Sequence, residues 1–302
     1  MMLPIVHHPA YVASLPDGHR FPMDKFGRLI EVLRADGLAA NGNCHTPEPA
    51  PRWWLELAHD AEYVGDILDL TASAETMRRI GLPLSPALVA RSRLAVAGTV
   101  LAAELALEHG LACNTAGGSH HAQSGTGAGF CVFNDVAVAA RVMQARGRAL
   151  QMLVIDLDVH QGDGTAEIFR GDAAVFTFSM HGRKNYPVRK QTSDLDVPLP
   201  DGMGDDAYLA TLRESLDLVW SRVRPDLVFY NAGVDPHAGD RLGKLALSDA
   251  GLFARDRMVI DDCRMRGLPL AGVIGGGYGP DIDAIARRHA LLYQAAFEAT
   301  SG

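Results

Sequence analysis

The sequence predicts a single-domain, three-layer α/β/α sandwich with a mostly parallel central sheet, spanning residues 1–302. Three observations lead there. Five short, nearly continuous apolar segments each lie beside a longer stretch of helical periodicity, and strands apolar on both faces belong to sheets covered on both sides. The chain is 48% apolar and shows no repeat, low-complexity tract or linker, so one large core is the economical arrangement. Polar residues gather directly after the apolar segments, where parallel sheets bind ligands.

In chain order, the first hundred residues read as mainly helical. "MDKFGRLIEVLRADG" and "SPALVARSRLAVAGTVLAAELALEHG" are the clearest cases, the second opened by Ser85 as N-cap and Pro86 in the first turn. Between them the Pro-rich "CHTPEPAPRWW" from Cys44 reads as a surface loop. The strand candidates follow: "LACNTAGG" from Leu111, "ALQMLVIDLDV" from Ala149, "AAVFTFSM" from Ala173, "PDLVFYNAG" from Pro225 and "LPLAGVIGGG" from Leu268. Helical patterns cover 134–146, 205–223, 248–266 and 281–299.

Several function classes lose support at this level. The formal net charge of −8 argues against a general nucleic-acid binder and is mildly compatible with cationic substrates. The apolar run 94–103 is about half a bilayer span and is bounded by Arg93 and Glu104, so it reads as a core helix, with no membrane partner expected. "MMLPIVHHPAYV" lacks the basic-then-apolar plan of a signal peptide. Four scattered cysteines without a CxxC pair suit a reducing, cytoplasmic setting and do not make a thiolate metal site. With neither a GxSxG elbow nor a P-loop, acyl-enzyme catalysis by serine and nucleotide chemistry both lack support.

The chemistry concentrates in "LVIDLDVHQGDG". Asp156, Asp158 and His160 alternate, so on a continuing strand they share one face and leave the sheet where the glycines begin. Buried carboxylates cost several kcal/mol unless paired or bound to a metal, so the stretch asks for a cation. Asp158, His160 and Asp235 supply two carboxylates and one imidazole and leave a position for water, as a catalytic zinc site requires. Two carboxylates weaken the ion as a Lewis acid, so other groups must help. His120 and His121 can act as general base and acid, and the Tyr278 hydroxyl can donate to the oxygen that becomes negative. Adjacent histidines normally diverge, so only one need face the water. Asp156 and Asp163 are the natural partners of their far nitrogens.

Plainer readings exist for each group. Asp156 and Asp158 could cap a helix or pair with arginines, the two histidines could be satisfied core residues, and Tyr278 could be a packed aromatic; His160 in phase with the aspartates favours the metal. Cys131 is better read as a small buried hydrophobe than as a nucleophile. His181 and His237 are expected to make structural hydrogen bonds, and helix capping accounts for Asn134 and Asp135.

"GGSHHA", "GFCVFND", "DLDVHQGDG", "YNAGVDPHAGDRLG" and "GGGY", in that order and spacing, resemble the histone deacetylase family of the arginase/deacetylase fold. The resemblance runs from about "HRFPMDKFGRL" to "GGGYG"; "HRFPM", Gln161 and "GDRLGKLALS" are most similar to the class IV branch and its bacterial relatives. It implies zinc (or ferrous iron) on Asp158, His160 and Asp235, an oxyanion-binding phenol at Tyr278, and His120 and His121 beside the water, with His121 the proton shuttle. It further implies an acyl-lysine channel walled by Gly129 and Phe130, with Tyr186 opposite, and potassium held by Asp156, Asp158, His160, Ser179 and the Met180 carbonyl. Gln161 departs from the second histidine of the better-known branches, and the short N-terminal region predicts no partner recruitment through a tail. The implied activity is removal of acyl groups, acetyl or longer, from N-acyl-lysine of a peptide or protein. Its rivals are an acetylpolyamine or small-metabolite amidohydrolase, a dinuclear manganese ureohydrolase, for which "DLDVH" and "VDPH" lack carboxylates, and a non-catalytic acyl-lysine binding protein. Oligomeric state is left open.

Overall fold

The chain opens with a strand the sequence did not announce. In the computed structural model, which describes residues 2–301, β1 (Ile5–Val6) pairs with β2 (Cys44–His45), inside the Pro-rich stretch read above as a surface loop. Two-residue strands have no period to read, which is why pattern alone missed them. The five apolar segments then form β3 (Leu111–Asn114), β4 (Met152–Asp156), β5 (Val175–Gly182), β7 (Leu227–Asn231) and β8 (Leu270–Val273). Between the last two and β5 lies β6 (Leu195–Leu199), whose Pro198 is tolerated because it is an edge strand.

The eight strands make one sheet of order β2-β1-β3-β8-β7-β4-β5-β6, and every pair is parallel. Every residue of β3, β4, β7 and β8 is buried, as strands covered on both faces must be. The covering helices are α1 (Lys25–Ala35), α2 (Arg52–Leu55), α3 (Ala61–Leu68), α4 (Ala74–Ile80), α5 (Pro86–His109), α6 (Asp135–Ala145), α7 (Asp163–Ile168), α8 (Asp205–Arg222), α9 (Asp249–Met265) and α10 (Ile282–Ser301). The Ser85 hydroxyl caps α5 by accepting from Leu88 N at 3.2 Å, and Gly110 ends it in the left-handed region. α5 packs on β1, β3, β7 and β8 and against α6, while α1, α10, α9 and α8 pack in series. The result is an α/β sandwich. Among the described residues no helix is long and apolar enough to cross a membrane, and the four cysteines are free thiols.

Register prepares the site. Asp156, Asn231 and Val273 stand level at the ends of β4, β7 and β8, and β3 lies on the other side of β8. Four neighbouring strands therefore release their loops along one edge, within about 15 Å at the usual spacing of strands.

Candidate active site at the carboxyl edge of the sheet

The loop after β3 carries His120 and His121, and glycine shapes it. Gly117 and Gly118 take φ of +87° and +81°, and a Cβ on Gly118 would meet Asn231 Oδ1 and Gly275 Cα at 2.5 Å. Asp135, fully buried, accepts from Gly118 N at 3.1 Å and Ser119 N at 2.7 Å and from the Thr99 hydroxyl at 2.6 Å. Capping thus accounts for Asn134, which accepts from Ala137 N, but not for Asp135, whose carboxylate clamps the histidine loop.

The two imidazoles converge, contrary to the usual divergence of neighbours. Their Nε2 atoms are 3.1 Å apart, because each ring is held from behind: His120 Nδ1 lies 2.7 Å from Asp156 Oδ2 and His121 Nδ1 lies 2.6 Å from Asp163 Oδ1. The same surroundings split their basicity. Burial alone would depress His120, but the charges of Asp156 and Asp158 outweigh it and hold the pKa up at about 9. Burial and then the charge of His120 push His121 down to about 4, against the pull of Asp163.

Strand β4 ends at Asp156, so Asp158 and His160 do not continue a strand face as alternation suggested; they sit in the turn that leads to α7. Backbone hydrogen bonds bring them together instead. Asp158 accepts from His160 N at 3.0 Å and Gly276 N at 2.7 Å, and Asp235, in the loop after β7, accepts from Val159 N at 2.8 Å. His160 Nδ1 ends 3.0 Å from both Asp158 Oδ1 and Asp235 Oδ2. One donor atom from each of the three residues lies within 4.8 Å of the others, all of them buried. Glycine lets the walls close in: a Cβ on Gly276 would come within 2.7 Å of Asp158 Oδ2 and nearer still to Asp235 Oδ2.

This donor set fits a divalent ion. It offers one imidazole and two carboxylates in a pocket with room on the open side, and its electrostatics favour positive charge. Burial would depress His160, yet hydrogen bonds to Asp158 and Asp235 hold its pKa up at about 10. Burial and the charge of Asp158 raise Asp235 to about 7.

His121, His160 and Tyr278 form the floor of a cavity of about 490 Å³. Tyr278 follows β8 on the "GGGYG" turn, its N–H donating to Asp240 Oδ2 at 2.6 Å and its ring 6.1 Å from that of His160. Among the described residues no protein group bonds its hydroxyl. Gly129 and Phe130 form one wall, both at positive φ (+53° and +67°), a strained turn that swings the phenyl ring into the cavity, 6.0 Å from Tyr278. Tyr186 stands opposite, its ring 4.7 Å from that of His121. Ser179 is level with Asp156 across the β4–β5 pair, with its hydroxyl 3.0 Å from His181 Nδ1, and Met180 is buried beside it. Cys131 is buried, its thiol donating to the Gly129 carbonyl, and His237 bonds Gly239 N; both are structural, as expected.

A family profile described as the histone deacetylase domain matches residues 19–294. The chain belongs to the histone deacetylase family. It is 53% identical over 296 residues to an uncharacterized protein of Picosynechococcus sp., covering 98% of this chain and 99% of that one. It is 32% identical over 269 residues to histone deacetylase 2 of Arabidopsis thaliana, covering 86% and 70% of the two chains. The crystal structure of an HDAC homolog from Aquifex aeolicus superposes with a TM-score of 0.84 at 26% identity, over all of this chain and 84% of the other.

Within this histone deacetylase domain several site residues escaped the sequence reading. Asn231 donates from Nδ2 to Asp156 Oδ1 at 2.9 Å, Asp240 anchors Tyr278, and buried Lys25 reaches from α1 to the carbonyl of Gly275 at 3.0 Å, 250 residues away. Burial pulls Lys25 down to about 8, partly offset by Asp235 and Asp158. Gln161, the family departure, donates to Gln191 O and Asp196 Oδ1 and accepts from Gln191 N, stapling β6 and the segment that follows Tyr186. Only the "GGGY" motif hinted that its backbone needed an anchor.

Proposed function

We propose that this chain is a zinc-dependent amidohydrolase that removes acyl groups, acetyl or longer, from the lysine side chain of a peptide or protein. Residues 1–302 act as one catalytic domain, in a reducing cytoplasm, next to the class IV branch that "HRFPM" and Gln161 resemble. The observation that carries the reading is the meeting, on one cavity floor, of a three-donor metal cradle, two carboxylate-backed histidines and an unbonded phenol. Asp158, His160 and Asp235 would hold zinc, or ferrous iron in its place, and Asp156, Asp158, His160, Ser179 and the Met180 carbonyl would hold potassium. The transition metal supplies Lewis acidity to the acyl carbonyl and acidity to the attacking water.

The protein's own groups do the rest. His121, kept neutral by burial and by His120, takes the water's proton at Nε2 while Nδ1–H stays fixed on Asp163. His120, its Nδ1 fixed on Asp156, is placed to carry the proton that the leaving amine needs. The Tyr278 hydroxyl stays protonated, because burial and two nearby aspartates raise its pKa, and donates to the developing oxyanion. Phe130 and Tyr186 hold the aliphatic stem between them. A second, smaller void bordered by His120, Cys131, Gly276 and Tyr278 shares His121, Gly129, Phe130 and Tyr278 with the main cavity and gives the acyl group space beside the metal cradle.

The test is a panel of acyl-lysine peptides, acetylpolyamines and small acylated metabolites on metal-quantified protein. One transition-metal ion per chain and acetyl-lysine hydrolysis abolished by Asp235→Ala support the reading. Two such ions per chain, or a metal-loaded protein inert on every acylated compound, overturns it.

A further inference from the structure

The cavity mouth carries charge that amide hydrolysis does not call for. Arg20, Arg78 and Arg79 line it, and no aspartate or glutamate does. All three are exposed, and no carboxylate among the described residues pairs with any of them. Their position is built. The Arg20 guanidinium stacks 4.9 Å from the centre of the Phe130 ring. The carbonyls of Arg79 and Ile80, at the end of α4, accept from Gly129 N and Phe130 N at 3.0 and 2.7 Å, so the arginine-bearing turn is fastened to the channel wall. Arginine in the last turn of a helix also complements the helix dipole, which accounts in part for Arg78 and Arg79 but not for Arg20, on a separate segment.

Guanidinium groups around one opening seek oxygen acceptors, anionic ones above all. The chain as a whole has 36 acidic against 28 basic residues, and the local field at the mouth opposes that average.

We propose that the mouth selects acyl-lysine substrates bearing a carboxylate beside the scissile lysine, and rejects polycationic acylated amines. This rests on the deacylase reading, which puts the acyl group on the floor; the exposed arginines then face what stays outside, the flanks of the lysine. The carboxylate comes from neighbouring Asp or Glu side chains of a peptide, or from the α-carboxylate of free Nε-acyl-lysine.

The experiment measures kcat/KM of zinc-loaded protein on acetyl-lysine peptides flanked by Glu, Gln or Lys, on free Nε-acetyl-lysine and its α-amide, and on N-acetylspermidine. The Glu-flanked peptide, or free Nε-acetyl-lysine over its amide, is expected to lead by about fivefold or more, through KM, with the gap narrowing in high salt. Which pair shows the gap identifies the source of the carboxylate. The double variant Arg78→Glu/Arg79→Glu inverts the order of Glu- and Lys-flanked peptides; Arg20→Gln, a milder change, shrinks the gap. Equal kcat/KM within both comparisons, or acetylspermidine as the best substrate, overturns the inference while leaving deacylation intact. If nothing is hydrolysed the deacylase reading falls, and equilibrium binding of the same peptides, fluorescently labelled, still decides whether the mouth prefers the acidic flank.

Discussion

Asp158, His160 and Asp235 were legible from residue type, since two carboxylates and an imidazole beside glycines have few uses other than binding an ion. Their supports were not. Lys25, Asn231, Asp135 and Asp240 act on atoms distant in sequence, three of them on backbone groups, and a lysine in an amphipathic helix gives no sign that the residue will be only 1% exposed. Tyr278→Phe isolates the proposed oxyanion donor. It is expected to lower kcat about 10²- to 10³-fold, as loss of one such donor does. Metal content per chain, read by elemental analysis, should stay unchanged because the phenol is not among the three groups proposed to hold the ion. Loss of the ion in that variant would count against the assigned role.

Among the elements, the strands with four or more buried residues were readable, while β1 and β2 are too short for any period and β6 hides behind Asp196 and Pro198. The turn after β4 was misread as more strand because Asp156, Asp158 and His160 happen to alternate; what converges them is a set of backbone donors, invisible to periodicity. The "GGGYG" turn gives the sharpest test at this scale. Gly276→Ala forces a methyl against Asp158 and Asp235, so zinc affinity should drop well over tenfold in a chelator competition. Gly202→Ala is the control: its φ is +76° but nothing lies within 4 Å, so it should cost about 1–2 kcal/mol of stability and leave metal binding alone. Equal zinc affinity in the two variants would mean that the turn does not shape the cradle.

Across the whole molecule, acid should loosen the fold through histidines with no part in catalysis. His59 is buried between α3 and the histidine loop, donating from Nδ1 to Gln123 O and accepting at Nε2 from Asn134 N, both at 2.9 Å. Burial depresses its pKa to about 4, against hydrogen bonds to Gln123 and Ser124 that oppose the shift. The unfolded chain therefore takes up the proton first, near the ordinary value of about 6.5. The contribution of His59 is complete above that value and is lost as the pH falls through about 4, at up to about 1.4 kcal/mol per pH unit. Urea unfolding at stepped pH should show this slope, and His59→Gln should flatten it by about one proton; an unchanged slope would reject it. One arrangement bears on synthesis as well. β8, the last strand to leave the ribosome, belongs between β3 and β7 in the middle of the sheet. Until it inserts, the nascent chain presents two unpaired, largely apolar edges, so this protein should depend on chaperones late in translation, and chains cut short before Leu270 should aggregate rather than fold into a smaller enzyme.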